Sequence, residues 1–432
     1  MNLIEIIALT RENKEKVFKN FNQRYVREDL TKIEEKVKEI IIKVRDEGDK
    51  ALIEFTKKFD KAKLKPLDIL VNQKEIKGAY KKIKKNFLEI IREIIKRVKE
   101  FHQRQKENSW ITIRERGIIL GQIVNPIEKV GIYTPGGTAA YPSSLIMGAV
   151  PAKIAGVEEI VMATPPSPEG KVNPYLLVTA QELGISTIYK MGGAQAIAAF
   201  AYGTETVKPV NKIIGPGNIY VTLAKKEVFG KVDIDMLAGP TEIVIWADNK
   251  ASPELIASDL FSQAEHDVNS SAILITESKL LAKEVKREIE NKIKDLERKE
   301  IIGESLKNWG KIVIAQDDRI ILEFINNFAP EHLELQIENP WEILGEIKNA
   351  GAIFIGSYSP EPIGDYWAGP NHILPTSGGA KFFSPLSVDD FTKKSSLIFY
   401  SRERLKEVKG KVMSLACLEG LQAHAYSMKV RR

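Results

Sequence analysis

Histidine is the side chain best suited to proton transfer near neutral pH. The chain has five histidines, and four of them lie within seven residues of a carboxylate or amide in segments punctuated by Gly and Pro. The fifth, His102, lies among charged residues of an N-terminal helical pattern, where a surface position is expected. The four pairs are Gln263 with His266, Glu331 with His332, Asp365 with His372, and Glu419 with His424.

These pairs favour a metal site or an acid–base site. The single cysteine, Cys417, excludes a disulfide framework and a zinc site built from several thiolates. A zinc-type ion in this chain would therefore need nitrogen and oxygen ligands, which histidine, carboxylate and amide side chains supply. Gln263 and His266 have the spacing of one helix face, whereas Asp365 and His372 share a segment expected to be a loop.

A second chemical feature is a set of three glycine-rich segments, Gly131–Gly137, Met191–Gln195 and Ile214–Tyr220. Each follows a predicted strand and precedes a predicted helix, so that the backbone can approach a phosphate at a helix N-terminus. None completes a GxGxxG fingerprint, and any one of them could be only a tight turn. Three at the carboxyl ends of strands in one sheet favour a nucleotide site. The residues alone fit a dehydrogenase and a metallohydrolase equally well.

The elements that must position these residues alternate between strand and helix from about Val130 onward, which predicts βαβ units with parallel sheets. The predicted strands are Val130–Tyr133, Glu159–Ala163, Thr187–Lys190, Lys212–Ile214, Glu242–Ala247, Ala272–Thr276, Lys311–Ala315 and Ala352–Gly356. The predicted helices between them are Ser144–Ala155, Pro174–Glu182, Ala194–Phe200, Tyr220–Val228, Pro253–Ala264, Lys279–Arg298 and Arg319–Phe328.

The fold class predicted is α/β, with two doubly wound domains flanked by helical segments. The predicted boundaries are a helical N-terminal region at 1–125, a first sheet domain with the glycine-rich loops at 126–240, a second at 241–380, and a small helical C-terminal segment at 381–432 that ends in a helix at Leu415–Ser427. Gly420 lies inside that helical pattern and suggests a close approach of another group.

Composition narrows the functional class further. The 432 residues carry a formal charge of +6, and the excess lies in the N-terminal helical region, where lysines alternate with glutamates on a solvated face. Without a DNA- or RNA-binding motif, this charge gives no support to nucleic-acid binding. No signal peptide or membrane span is recognisable, so we expect a reduced, soluble, cytoplasmic protein.

From about Ile123 to the C-terminus, the same segments resemble histidinol dehydrogenases. Many motifs occur in one order, which makes the resemblance specific. They are Gly131–Tyr141, Gly192–Ala198, Gly215–Val221, Ala238–Ala247, Gln263–Val268, Ala329–Leu335, Gly364–His372 and Glu419–Ser427.

The resemblance implies an oxidation of L-histidinol through L-histidinal to L-histidine, the last step of histidine biosynthesis, with two NAD+ and one zinc ion per subunit. It implies zinc ligands at Gln263, His266, Asp365 and His424, an acid–base pair at Glu331 and His332, and cofactor contacts at Tyr133, Gln195 and Asn218. The implied substrate contacts are Thr241, Gln263, His266, His332, Asp365, His372, Glu419 and His424.

The resemblance also implies two incomplete Rossmann-like domains and a homodimer in which the C-terminal segment completes the partner's site. In this reading His332 is the general base and Glu331 activates water. Because a strand would point these neighbours to opposite faces, we predict an irregular turn at Pro330–Leu333. The family commonly has Ser where Thr241 stands, and the hydroxyl is retained. The alternative is a zinc-dependent hydrolase of an imidazole or amino-acid substrate, which would not use NAD+.

Overall fold

The computed structural model describes residues 3–22, 30–136 and 141–431. Within these ranges, short β-branched runs form strands and Ala-, Leu- and Lys-rich segments form helices. The strands are β1 (Glu5–Leu9), β2 (Trp110–Glu115), β3 (Ile118–Pro126), β4 (Lys129–Tyr133), β5 (Glu159–Thr164), β6 (Thr187–Lys190), β7 (Lys212–Ile214), β8 (Asp233–Ile234), β9 (Glu242–Ala247), β10 (Ser271–Thr276), β11 (Lys311–Ala315), β12 (His332–Gln336), β13 (Ala352–Ile355) and β14 (Thr392–Tyr400).

The helices alternate with these strands from β4 onward. They are α1 (Lys14–Asn22), α2 (Thr31–Glu47), α3 (Asp49–Phe59), α4 (Gln73–Tyr80), α5 (Lys85–His102), α6 (Pro142–Ala155), α7 (Pro174–Glu182), α8 (Gly193–Tyr202), α9 (Ile219–Val228), α10 (Pro253–Ala264), α11 (Lys279–Lys292), α12 (Lys299–Trp309), α13 (Asp318–Phe328), α14 (Pro340–Ile343), α15 (Glu361–Tyr366), α16 (Arg402–Leu418) and α17 (Gln422–Lys429).

Two parallel sheets carry the fold. The first has the order β6-β5-β4-β7-β8, and the second has the order β1-β11-β10-β9-β12-β13. When the strands are numbered from β4 in the first sheet and from β9 in the second, both sheets have the order 3-2-1-4-5. This is the order of a doubly wound domain that lacks its sixth strand. The N-terminal strand β1 instead pairs in parallel with β11 at the edge of the second sheet. The predicted α/β class with two incomplete Rossmann-like sheets is confirmed.

The N-terminal helices cover the first sheet on both faces. Residues of α4 and α5 pack with α6 and α7 in one apolar core, and α2 and α3 pack with α8 and α9 in the other. The second sheet has its own cores, with α10, α11 and α12 on one face and α1 and α13 on the other. The N-terminal region therefore supports the sheet that carries the glycine-rich loops.

The N-terminal region and the C-terminal segment, which were predicted to be helical, also contain four strands. Strand β1 lies in the N-terminal region, and β2 and β3 form an antiparallel hairpin there. Strand β14 pairs antiparallel with β3 along nine residues and draws the C-terminal segment back to that hairpin. Strand β14 was missed because its first five residues, Thr392–Ser396, are polar and mostly exposed, and the four apolar residues that follow are too few to mark a nine-residue strand.

Three local expectations also need correction. His102 is fully buried at the end of α5, because its Nδ1 lies 2.6 Å from Gln105 Oε1 and satisfies the ring. The predicted C-terminal helix is divided at Gly420 into α16 and α17, because Gly420 takes a left-handed φ of 76°. A Cβ at Gly420 would meet nothing within 4 Å, so the glycine serves the turn and not a close approach within the chain.

Among residues 3–22, 30–136 and 141–431, no helix combines the length and apolar character needed to cross a bilayer.

Candidate active site

The polar residues of the second sheet converge at the amino ends of two adjacent strands. Thr241 immediately precedes β9, and His332 opens β12, whose register pairs it with Ile243. Helix α10 runs back from the far end of β9 and places Gln263 in its last turn, beside Thr241. The predicted helix face is correct for Gln263, whereas His266 lies two residues beyond the end of α10.

A chain of short hydrogen bonds fixes Gln263, Thr241 and Glu331. Gln263 Nε2 donates to Thr241 Oγ1 at 2.7 Å, and the Thr241 hydroxyl donates to Glu331 Oε2 at 2.5 Å. The backbone N–H of Glu242 donates to the same carboxylate oxygen at 3.0 Å. Burial raises the pKa of Glu331 well above its ordinary value, and these two donors oppose the rise. A carboxylate with a raised pKa is a stronger base.

The turn before β12 places the His332 ring beside this carboxylate. Ala329 has a left-handed φ and the residues up to Glu331 are irregular, as predicted, but His332 and Leu333 already belong to the strand. His332 Nδ1 lies 3.2 Å from the carbonyl oxygen of Glu242 and 3.7 Å from Glu331 Oε2. This carbonyl accepts the Nδ1 proton, so Nε2 is left with its lone pair. Burial lowers the pKa of His332 to about 4, so the ring is neutral at physiological pH.

Helix α15 brings two carboxylates to His332. One atom each of His332, Glu361 and Asp365 lie within 4.8 Å of one another, a spacing that a metal ion could bridge. Glu361 Oε1 is 4.0 Å from His332 Nε2 and 3.9 Å from His266 Nε2. The segment predicted as a loop thus starts as a helix, whose i and i+4 positions carry Glu361 and Asp365 on one face.

The donor atoms of this site fit a divalent metal ion. Three buried atoms have no hydrogen-bond partner in the described structure: Gln263 Oε1, His332 Nε2 and Glu361 Oε2. Leaving such atoms unpaired is unfavourable unless a ligand or ion satisfies them. Burial and the neighbouring Asp365 raise the pKa of Glu361, and a bound cation would instead favour both ionised carboxylates. Nitrogen and oxygen donors without sulfur suit zinc and similar ions.

His372 lies at the edge of the same cluster. Its Nδ1 is 2.9 Å from the carbonyl oxygen of Asp365, which fixes the ring relative to α15. Its Nε2 lies 3.4 Å from Ser144 Oγ on α6, so the ring links the two sheet regions. The adjacent Asn371 donates to the Met147 carbonyl at 2.8 Å and anchors this segment to α6.

A second buried polar group lies directly behind the cluster on β12. Glu334 Oε1 accepts the backbone N–H of Glu361 at 3.0 Å. Gln336 Nε2 donates to Glu334 Oε2 at 3.1 Å and to Asp259 Oδ2 at 3.0 Å. The Asp259–Gln336–Glu334 triad therefore joins α10, β12 and α15, the three elements that carry the candidate ligands. Burial raises the pKa of Glu334 to about 8.

Two of the predicted site residues lie away from this cluster within one chain. Glu419 follows the last residue of α16, and His424 lies on α17; both are exposed. Among the described residues, no hydrogen bond or ion pair joins either side chain to the cluster. Their predicted roles remain predictions that require a second copy of the chain.

The three predicted cofactor residues lie together at the carboxyl ends of the first sheet. Tyr133, Gln195 and Asn218 line one cavity of about 1430 Å³. The Tyr133 hydroxyl accepts the backbone N–H of Gly193 at 3.1 Å, so the first two glycine-rich loops touch. Asn218 caps α9 by accepting the N–H groups of Tyr220 and Val221. The stretch 137–140 of the first loop lies outside the described residues.

Gln195 offers the clearest unfilled binding capacity in this cavity. It is 1% exposed, and neither its amide nitrogen nor its amide oxygen has a partner in the described structure. Helices α2 and α3 close the other side with residues that the sequence analysis missed, among them the stacked rings of Phe55 and Phe59 and the carboxylate of Asp60. Asp60 Oδ2 has no partner, and burial raises its pKa to about 6.

The sequence analysis also missed Glu361, because this residue does not stand beside a histidine in the sequence. Its spacing of four residues from Asp365 could have identified it. The Glu334 and Gln336 side chains left no usable signal, since polar residues alternating with leucine normally indicate a half-exposed strand.

Comparison with known proteins decides between the two classes that the residues left open. Residues 23–432 match the family model described as histidinol dehydrogenase. The chain is 53% identical over 429 residues to a histidinol dehydrogenase of Caldanaerobacter subterraneus subsp. tengcongensis, covering 99% of both chains. It is also 53% identical over 430 residues to one from Clostridium acetobutylicum, covering 100% of this chain and 99% of the relative.

A solved structure gives the same answer for the fold. The crystal structure of a histidinol dehydrogenase from Elizabethkingia anophelis aligns with a TM-score of 0.93 and 38% identity, covering 100% of this chain and 98% of that one. The sheet order and the sequence matches therefore agree. The chain belongs to the histidinol dehydrogenase family of NAD-dependent oxidoreductases, and its implied substrate is histidinol.

Proposed function

We propose that the protein is a zinc-dependent enzyme that oxidises L-histidinol through L-histidinal to L-histidine and reduces two NAD+. The observation that carries this proposal is the position of three unpartnered buried atoms, Gln263 Oε1, His332 Nε2 and Glu361 Oε2, beside the Glu331 carboxylate. Gln263 Oε1 and Glu361 Oε2 are potential metal donors, His332 Nε2 is a potential base, and the Glu331 carboxylate is a second proton acceptor. A four-electron oxidation with an intervening addition of water would use all of these groups.

Gln263, His266 and Asp365 would hold the zinc ion, together with His424 from a second copy of the chain. The hydrogen bond from Gln263 Nε2 to Thr241 supports this assignment, because it orients the amide and leaves its oxygen free. Glu361 is one further oxygen donor within reach of His266 and His332. When bound, zinc would fix the imidazole and amino nitrogens of the substrate and orient its alcohol carbon.

The remaining substrate contacts follow from the same cluster. His372, held by the Asp365 carbonyl, would contact the substrate at the edge of the site, and Glu419 would do so from the second copy. The Thr241 hydroxyl already donates to Glu331 and accepts from Gln263, so its main role is to hold these two groups in place. A serine hydroxyl could make the same two bonds.

The proton transfers of the two oxidations divide between Glu331 and His332. The neutral His332 ring accepts the hydroxyl proton of the alcohol at Nε2 as hydride leaves the carbon for the first NAD+. Glu331 then removes a proton from a water that adds to the aldehyde, and His332 returns its proton to the aldehyde oxygen, which gives the gem-diol. The ring, neutral again, deprotonates the gem-diol as the second hydride leaves for the second NAD+. The two groups have different hydrogen-bond partners, which suits this division of roles. The His332 ring is held by the Glu242 carbonyl, and the Glu331 carboxylate is held by the Thr241 hydroxyl and the Glu242 N–H.

Tyr133, Gln195 and Asn218 would hold NAD+, which accepts the hydride when bound. Gln195 supports this site most directly, because its unpartnered amide can donate to and accept from a ligand. The Tyr133 hydroxyl has a pKa raised to about 12 by burial, so it stays protonated and retains a donor. The glycine-rich loops leave room for the backbone to approach a phosphate.

The C-terminal segment supports a homodimer. Apolar side chains are exposed along β14, α16 and α17, the part of the chain that carries Glu419 and His424. An apolar surface of this extent favours burial against another molecule. The exposed apolar residues are Ile398, Phe399, Leu415, Leu418, Leu421 and Tyr426. A second copy that covers this surface could receive Glu419 and His424 at its own cluster.

The test follows NADH at 340 nm with purified protein, zinc, NAD+ and L-histidinol. We expect two NADH per L-histidinol and L-histidine as the final product. Prior removal of the metal with a chelator should abolish turnover, and added zinc should restore it. NADH formation in a 1:1 ratio would show that oxidation stops at the aldehyde, and unchanged turnover after verified metal removal would contradict zinc dependence.

A further inference from the structure

A fully buried ion pair lies beneath the third glycine-rich loop. Lys225, on α9, contacts Asp235, which follows β8, and their side chains are 4% and 1% exposed. Neither residue lines the cavity that Tyr133, Gln195 and Asn218 share. The pair therefore has no direct access to a cofactor, and its contacts indicate what it does.

Both residues of the pair bind Gly215, which follows β7 in the third glycine-rich loop. Lys225 Nζ donates to the Gly215 carbonyl at 3.1 Å, and the Gly215 N–H donates to Asp235 Oδ2 at 2.8 Å. Asp235 also accepts the N–H of Met236 at 2.7 Å, which fixes the carboxylate. A lysine and an aspartate thus hold the two polar groups of one residue between them.

Gly215 transmits this constraint to the other two loops. Its φ of 113° and its contact with β4 exclude any side chain, since a Cβ would lie 2.0 Å from the Tyr133 carbonyl oxygen. Tyr133 in turn accepts the Gly193 N–H through its hydroxyl. The ion pair, the Gly215 turn and Tyr133 form one continuous support for the residues that line the cavity.

We propose that Lys225 and Asp235 are positioning residues that set the geometry of the NAD+ site, an inference that rests on the proposed cofactor site. A buried ion pair contributes little net stability, because desolvation of the two charges offsets their attraction. Two hydrogen bonds of Gly215, with side chains that the ion pair and the Met236 N–H hold in place, give the pair a structural purpose that stability alone does not.

The test compares Lys225→Met with Lys212→Met. Lys212 is a matched control, because it is also a buried lysine in the region of the first sheet, and its ion-pair partners, Asp233 at 2.9 Å and Asp390 at 4.0 Å, lie outside the three glycine-rich loops. For Lys225→Met we expect KM for NAD+ to rise about tenfold, the effect of losing one charge-assisted hydrogen bond. KM for L-histidinol and zinc content should change less than twofold, and Lys212→Met should leave all three within that range.

A second variant protects the test against misfolding. Lys225→Met with Asp235→Asn removes both charges and keeps an oxygen for the Gly215 N–H; its KM for NAD+ should lie between those of wild type and Lys225→Met. Equal changes in KM for both substrates, or an unchanged KM for NAD+, would overturn the inference. Gln195→Ala separates the proposed cofactor site from the proposed role of the ion pair. If Gln195→Ala raises KM for NAD+ and Lys225→Met does not, only the role of the ion pair is wrong. If Gln195→Ala has no effect on KM for NAD+, both the cofactor site and the role of the ion pair are wrong.

Discussion

Glu334 offers a direct test of how the candidate metal site is held together. Its side chain is 2% exposed and is not among the proposed metal ligands or substrate contacts, yet its carboxyl oxygens accept hydrogen bonds from Gln336 and from the first backbone N–H of α15. Replacement by leucine would keep the volume and remove both acceptors. Helix α15 would then be attached to β12 only through packing and the pairing of β13.

The size of the effect follows from the bonds lost. The Glu361 N–H would be left buried without an acceptor, which costs about 1–3 kcal/mol of unfolding free energy. Loss of a supporting hydrogen bond behind metal ligands typically lowers metal affinity about 10–100-fold. Glu361 and Asp365 share the helix that Glu334 anchors. We therefore expect Glu334→Leu to lower the zinc affinity by a factor in this range.

Zinc affinity is measured by titrating metal-free protein in competition with a chromophoric chelator at fixed pH, with circular dichroism as the check on folding. Glu334→Gln is the matched control, since its amide oxygen can still accept the Glu361 N–H, and its affinity should stay within about threefold of wild type. Asp49→Asn controls for loss of a buried carboxylate elsewhere, because Asp49 binds Thr204 and Thr206 far along the chain from the site.

A folded Glu334→Leu protein with wild-type zinc affinity would refute the reasoning, because α15 would then be positioned without the triad. Equal weakening in Glu334→Leu and Asp49→Asn would also refute it, since the effect would reflect general destabilisation. A wild-type protein that binds no zinc would instead contradict the proposed metal itself.

Four further predictions concern single side chains. His332→Asn should lower turnover about 10²–10⁴-fold with zinc content unchanged, and near-normal turnover would exclude it as the base. Glu331→Gln should slow oxidation of L-histidinal more than the first oxidation of L-histidinol; equal slowing of both steps, measured separately by stopped flow, would argue against water activation. Cys417→Ser should keep full activity, because the thiol is exposed on α16, and loss of activity in the folded variant would favour a covalent thiohemiacetal route. Asp60→Asn should raise the urea unfolding free energy at pH 8 by about 1–2 kcal/mol after allowance for partial exposure, since burial raises the pKa of Asp60 to about 6 and its charge is unfavourable in the folded state above that pH. The gain should fade as the pH falls from 6 to 4.

Most of the strands that the sequence predicted are buried on both faces, although β13 was also predicted and is partly exposed. Strand β9 reads Glu-Ile-Val-Ile-Trp-Ala and is buried at every position, so a continuous apolar run marked it. Strand β12 is equally buried but reads His-Leu-Glu-Leu-Gln, and the three polar residues hid it. In the proposed mechanism His332 is the base, and Glu334 and Gln336 join β12 to α15 and α10. The departure from a simple pattern thus coincides with the chemistry.

The candidate site also shows what spacing cannot convey. Glu331 and His332 are adjacent in sequence, so their proximity was predictable. Thr241 reaches Glu331 only because β9 pairs with β12, and Gln263 reaches Thr241 only because α10 reverses along β9. Glu419 and His424 lie on the exposed C-terminal segment, away from the cluster, and only the family resemblance suggested that they act in the site of a second copy.

The two sheets place their functional residues at opposite ends of their strands. Tyr133, Gln195 and Asn218 follow the carboxyl ends in the first sheet, as open α/β sheets normally do. Thr241 and His332 occupy the amino ends in the second sheet. In the second sheet, the loops at the carboxyl ends of the strands hold no candidate site residue, so these loops need no glycine-rich turns. This explains why the second half of the chain lacks such turns although its strand order is the same. Had both halves bound a nucleotide in the same way, the second half would need a phosphate-approaching turn after β9, and Asp248–Ser252 instead contains no glycine.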